Sequence, residues 1–182
     1  MTDLNKDMER VLISKEQIAA RIAELGAEIS ADYDGKDVVV LCILKGAVHF
    51  FSDLTRALTC QMEMDFMSIS SYGNSRKTSG VVRIVKDIDV DITGRHVLII
   101  EDIMDSGLTL NYLTMLLQSR EPASIRIACL LDKPERRECA ISPDYVGFII
   151  PNEFVVGYGL DFDGFYRNVP YVGVMKPEKY QS

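Results

Sequence analysis

The sequence predicts an α/β domain with a central, mostly parallel sheet and helices on both of its faces. Three observations lead there. The runs Val38 to Leu44 and His96 to Ile100 are β-branched and apolar with little alternation, the pattern of strands buried on both sides. Segments of helical period stand between such runs. The chain of 182 residues, 47% hydrophobic and 26% charged, can bury one sizeable core, and no Pro/Gly/Ser-rich linker or internal repeat divides it. Strands and helices alternating at these spacings form βαβ units.

Each element has a local reason. Ser14 followed by Gln17 makes a capping box, and Ile18, Ile22, Leu25 and Ile29 continue it as the apolar stripe of a helix. Val38 to Leu44 is the first buried strand. After Gly46, the spacing of Val48, Phe51, Leu54 and Leu58 returns to helical period. Met62 to Ile69 alternates, which predicts a strand with Met62, Met64 and Phe66 on its apolar face and Glu63 and Asp65 on the polar one. His96 to Ile100 repeats the buried-strand pattern, and Leu110, Leu113, Leu116 and Leu117 line one side of the next helix. Further apolar runs lie at Ile125 to Leu131 and Tyr145 to Ile150.

Composition removes several function classes. The longest unbroken apolar run falls far short of the ~20 residues of a membrane helix. The first ten residues, MTDLNKDMER, have no secretory-type apolar stretch, and Cys42, Cys60, Cys129 and Cys139 form no CxxC. The expectation is a reduced, cytoplasmic protein without a zinc site. The net charge of -7 disfavours a general nucleic-acid binder, which needs a basic face to neutralise phosphates.

In parallel sheets, ligands bind where the carboxyl ends of strands lead into helices. There, VLIIEDIMDSGLTL (Val97 to Leu110) sets Glu101 and Asp102 at the end of a strand and Asp105, Ser106, Gly107 and Thr109 at the mouth of a helix. A helix N-terminus offers unpaired N–H groups and a positive dipole end, so a phosphate could sit on Ser106 to Thr109. Gly107 permits close backbone approach. Adjacent carboxylates accept from a cis-diol and favour magnesium. A cap would need only one of these polar residues. The pattern suggests a ribose 5-phosphate, and no GxxxxGK[ST] competes with it.

EDIMDSGLT, behind its apolar strand, resembles the signature of the purine phosphoribosyltransferases: two acids, a hydrophobic pair, then Asp-Ser/Thr-Gly-x-Thr. The chain looks like a bacterial hypoxanthine (hypoxanthine-guanine) phosphoribosyltransferase from about Ile13 to Val174. The resemblance implies a type I phosphoribosyltransferase fold: a central mostly parallel sheet flanked by helices, a flexible loop and a small base-binding hood. It implies one domain over residues 1–182, with the hood built from the chain ends, about 1–15 and 150–182. It implies a pentosyltransferase that moves ribose 5-phosphate from phosphoribosyl pyrophosphate to N9 of hypoxanthine or guanine in purine salvage. Mg2+ is the implied cofactor, 6-oxopurine bases are the partners, and the assembly is a homodimer or homotetramer.

Residue by residue, the resemblance implies these roles. Asp105 is the general base, and Glu101 and Asp102 bind the ribose diol and, with Asp161, the metal. Asp105, Ser106, Gly107, Leu108 and Thr109 hold the 5-phosphate. Lys45, Gly46, Ser71, Tyr72 and Arg167 hold pyrophosphate, with a cis Leu44-Lys45 bond. Lys133, Phe154, Val155 and Asp161 bind the purine, Lys133 donating to the 6-oxo group and N7 and Phe154 stacking. Arg136 and Arg137 are read as surface side chains, and His49 and His96 as structural. The segment Asn74 to Lys86 carries Arg76, Lys77, Arg83 and Lys86 and no acid, and resembles the family's mobile loop. From Lys86 to Asp105, six acids oppose two bases, so an acidic floor is expected to face a basic lid.

Two other classes carry distinct signatures. A regulatory RNA-binding protein on the same fold would show spread-out Arg and Lys on a basic face, which this acidic balance opposes. A xanthine- or orotate-type enzyme would keep the phosphate loop and change the base pocket around Lys133 and Phe154.

Overall fold

The computed structural model describes residues 4–71 and 82–180. Its larger sheet contains β2 (Val38–Leu44), β3 (Met62–Ser71), β4 (Val82–Lys86), β5 (His96–Met104), β6 (Ser124–Asp132) and β7 (Tyr145–Ile149), in the order β4-β3-β2-β5-β6-β7. All neighbours are parallel except β4, which runs antiparallel to β3. Alternate residues of β2 enter different cores. Val38, Val40 and Cys42 pack against α1 (Lys15–Asp32) and α2 (Val48–Ala57), whereas Val39, Leu41 and Ile43 pack with α3 (Leu108–Gln118) on the opposite face. A strand covered on both faces has no use for polar alternation, hence its unbroken apolar run.

The helices begin as their sequences dictate. The Ser14 hydroxyl accepts from the Gln17 N–H at 3.3 Å while the Gln17 side chain accepts from the Ser14 N–H at 2.8 Å, closing the capping box. Ile18, Ile22, Leu25 and Ile29 are all buried. α3 is capped instead by Gly107, whose φ of 81° lies in the left-handed region.

Two expectations are corrected. The strand beginning at His96 continues to Met104, so Glu101 and Asp102 lie within β5 rather than at its end. In β3 the apolar face is the more open one past Met62, which packs on the α1–α2 core: Met64 is 53% and Phe66 37% exposed, whereas Asp65 and Met67 on the other face are buried. The cause is tertiary. Ile92, on the connection from β4 to β5, packs in the same core as Met67, and the Asp65 carboxylate holds that connection by accepting from the Asp89 and Val90 N–H groups at 2.7 and 3.1 Å.

A second, antiparallel sheet joins β1 (Met8–Ile13), β9 (Val172–Met175) and β8 (Val155–Val156), in that order. Behind it Met8, Val156 and Met175 form a small core ringed by Phe154, Phe162, Tyr166, Tyr171 and Tyr180. In the large sheet, β2 and β5 are neighbours whose following helices go to opposite faces, which opens a crevice between the loops after them.

Candidate active site

The loop after β5 is fixed from behind. The Met104 carbonyl accepts from the Lys133 N–H at 3.0 Å, the Asp105 carbonyl from Arg137 Nη1 at 2.6 Å, and the Ser106 carbonyl from the Glu138 N–H at 2.9 Å. In a planar trans peptide the N–H points opposite to the C=O. Anchoring these three carbonyls against the chain after β6 therefore turns the N–H groups of Asp105, Ser106 and Gly107 the other way, as a concave anion cradle requires. A Cβ on Gly107 would stand 2.8 Å from Ile141 Cγ2 and 3.1 Å from Cys139 Sγ, so the loop lies directly against its support. Leu108 and Thr109 open α3 above it.

On the other side of the crevice, the turn after β2 carries a cis Leu44-Lys45 peptide. A Cβ on Gly46 would fall 1.6 Å from Asp102 Oδ2, and one on Gly159 would fall 2.0 Å from the Gly46 carbonyl oxygen. Only glycines allow β5, this turn and the 157–160 turn to meet. A cleft of about 260 Å³ results, lined by Gly46, Glu101, Asp102, Thr109, Asp161 and Arg167 among others. Residues far apart in sequence thus share one space.

The cleft's acids are poorly compensated. Asp102 is buried, its Oδ1 accepting from the Ile103 N–H at 2.8 Å, and burial pushes its pKa up to about 6 despite that bond and the nearby Arg167 charge. Burial and the adjacent Asp102 raise Glu101 well above the usual range, and its Oε2 is shielded from solvent without a protein partner among the described residues. Asp161 is differently placed. Its Oδ1 pairs with Arg167 Nη2 at 2.6 Å and its Oδ2 accepts from the Gly164 N–H at 2.8 Å, while Arg167 Nη1 donates to the Gly159 carbonyl at 2.5 Å.

Lys133 follows β6 and is buried, with Nζ donating to the Glu153 carbonyl at 2.7 Å. Burial lowers its pKa. Among the described residues its Nζ has no other hydrogen bond, leaving two of its three donors, and Phe154 is the next residue after Glu153. Val155 sits opposite Val174 in the small sheet with its side chain buried. Lys45 is exposed at the crevice rim. Ser71 closes β3, and Tyr72 lies outside the described residues, as does 74–81 of the basic segment.

Three further readings change. Arg137 is not a surface side chain. It is 14% exposed and bridges the Asp105 carbonyl to the Asp132 carboxylate, while Arg136 Nε pairs with Asp105 Oδ1 at 2.9 Å. The one hint in sequence was Asp132 itself, an acid closing an apolar strand that needs a nearby cation. The acidic floor is also smaller than the count suggests, because Asp87 pairs with Arg120, Asp89 with Lys86, and Asp91 accepts from Thr93. Lys86 is consequently a post of β4, donating also to the Phe66 and Asp87 carbonyls, and does not belong to a free basic lid. His96 stands at the amino end of β5, bonded to Ser124 at 2.7 Å, away from the crevice.

The comparisons with known proteins agree with this geometry. The model of the phosphoribosyl transferase domain matches residues 12–163. The hypoxanthine-guanine phosphoribosyltransferase of Bacillus subtilis (strain 168) is 51% identical over 98% of this chain and 99% of its own length. The bifunctional protein TilS/HprT of Listeria innocua is 51% identical over 98% of this chain, which spans 28% of that longer protein. A crystal structure of a hypoxanthine phosphoribosyltransferase from Staphylococcus aureus superposes with a TM-score of 0.96 at 47% identity, covering 98% of this chain and 97% of that one. With the anchored loop after β5 and the paired acids in one cleft, the chain belongs to the phosphoribosyl transferase family, in its hypoxanthine-guanine branch.

Proposed function

We propose that the chain transfers the 5-phosphoribosyl group of phosphoribosyl pyrophosphate to N9 of hypoxanthine and guanine, giving IMP or GMP and pyrophosphate in purine salvage. One observation carries the reading. An anion cradle and an uncompensated carboxylate pair open on the same crevice, as a sugar phosphate with a metal-bound diphosphate requires.

The 5-phosphate sits on the loop Asp105 to Thr109, with Ser106 and Thr109 hydroxyls adding to its N–H groups. Glu101 and Asp102 take the ribose hydroxyls. The same pair fits magnesium, because the Glu101 Oε2 atom is orphaned and no arginine contacts either acid among the described residues. Asp161, across the cleft and tied to Arg167, would complete the metal region. Bound magnesium supplies charge neutralisation at the departing pyrophosphate. Lys45, Gly46, Ser71, Tyr72 and Arg167 hold that group.

The base lies between Lys133 and Phe154, with the Val155 backbone and the Asp161 region at its pyrimidine edge. Lys133 favours a 6-oxo group, because an amino group there would leave a buried ammonium facing a donor. As N9 bonds to C1, the C1–O bond to pyrophosphate breaks with its electron pair, and N7 gives its proton to Asp105. For this, Asp105 must exchange the Arg136 guanidinium for the purine. The chain acts as one domain, the small sheet serving as the base-binding hood, and works in the cytoplasm as a homodimer or homotetramer.

The test is a spectrophotometric assay of hypoxanthine, guanine and xanthine with phosphoribosyl pyrophosphate and magnesium. Product is expected from the first two. No product from any base, or turnover unchanged by a chelator, would overturn the reading.

A further inference from the structure

Phe154, the proposed purine wall, already carries aromatic neighbours. The Tyr180 ring is stacked on it with centroids 4.5 Å apart at 21°, and Phe162 meets it edge-on at 5.7 Å and 89°. Tyr180 ends α4 (Pro177–Tyr180), a single turn that could not hold its shape alone. That turn is pinned to the first described residues. Asp7 accepts from Lys179 Nζ at 2.7 Å and from the Tyr166 hydroxyl at 2.9 Å, its carbonyl accepts from the Lys176 N–H at 3.0 Å, and Lys176 Nζ donates to the Lys6 carbonyl at 2.8 Å. Lys179 and Tyr166 hold the Asp7 carboxyl below its usual pKa, so this clasp is charged at neutral pH.

We infer that Tyr180 is a positioning residue for the purine: stacked on Phe154 from the small sheet's aromatic cluster, it fixes the ring plane against which the base closes from the Lys133 side. This rests on the purine-wall reading of Phe154. The physical need is clear. Phe154 lies in an irregular segment ahead of a two-residue strand, where an unbraced ring would sample several orientations and lose that freedom on binding. A ring held in its bound orientation beforehand binds more tightly without any new contact to ligand. Lys133 follows β6 of the large sheet and Tyr180 ends α4 beside the small one, so the brace and the base-binding lysine come from separate elements.

The test compares Tyr180→Ala, Tyr180→Phe and Phe154→Leu in steady-state assays with both substrates, alongside thermal melts. Tyr180→Ala is expected to raise the KM for hypoxanthine about 3- to 10-fold, the range of one aromatic pair, with kcat and the KM for phosphoribosyl pyrophosphate changing less than about twofold. Tyr180→Phe keeps the ring and should restore the hypoxanthine KM. An unchanged hypoxanthine KM in Tyr180→Ala, with Phe154→Leu raising it, overturns the brace and leaves the purine wall standing. No effect from Phe154→Leu overturns the purine wall and the brace with it. A lowered hypoxanthine KM in Tyr180→Ala would show Tyr180 competing with the base for Phe154, and an equal rise in both KM values would show general loosening. Either also overturns the inference.

Discussion

Two groups of carboxylates stand side by side at the carboxyl ends of β5 and β6. Asp105 and Asp132 each touch an arginine, Arg136 and Arg137 respectively. Glu101 and Asp102, earlier in β5, bond to each other, with a backbone N–H on Asp102 and the more distant charge of Arg167 but no ion-pair partner among the described residues, and both are pushed upward in pKa. The difference is instructive. Where the protein supplies the cation, the acid is held in a fixed position beside the loop after β5. Where it supplies none among the described residues, the acids stay uncompensated, which is what the proposed magnesium–substrate reading requires.

The comparison can be broken most forcefully at Asp105. Replacing it with Asn keeps the loop's shape and removes the proton acceptor, so kcat should fall by roughly 10² to 10⁴. Near-normal turnover would make Asp105 a loop post like Asp132. Next comes Arg137→Ala, which strands the Asp132 carboxylate, 10% exposed, and frees the Asp105 carbonyl. Removing one partner of a buried pair costs about 3–5 kcal/mol, so urea unfolding should show a loss of that order, with a raised KM for phosphoribosyl pyrophosphate.

Asp102→Asn should act in the opposite direction on stability. Since the folded pKa is raised, Asp102 contributes stability in its protonated form, fully below the ordinary aspartate range and lost as pH rises through about 6. The Asn variant, without metal, should therefore melt higher than the parent at pH 7.5, by up to about 3 kcal/mol, and the gain should vanish near pH 4. Its activity should drop while its Tm rises. The smallest effect belongs to Arg136→Ala. That pair is about half exposed on both sides, so the stability change should stay within about 1 kcal/mol.

Much of the scaffold was legible because the chemistry is local. A capping box reads from Ser14 and Gln17 alone, and a doubly covered strand needs no alternation. The loop at the mouth of α3 was legible for the same reason, since Asp105 to Thr109 is one contiguous stretch. The burial of β3 was not legible, because its pattern reports two faces and not which one the chain from Asp87 to Ile92 covers. Arg137 was misread because an arginine beside another looks solvated until Asp132 is known to stand next to it, whereas Arg136 is the surface side chain expected.

What the sequence determined by itself is the list of parts: buried strands, a helix mouth rich in anion donors, two adjacent acids, a lysine closing a strand. These follow from neighbours within a few residues. What only the tertiary structure decided is which acids are neutralised. The charge state of Glu101 and Asp102 depends on Gly46 and Gly159 letting three segments close around them, and on Arg167 turning to Asp161 instead. Burial and distance set a carboxylate's pKa, and both are properties of the packed fold that no count of acids and bases contains.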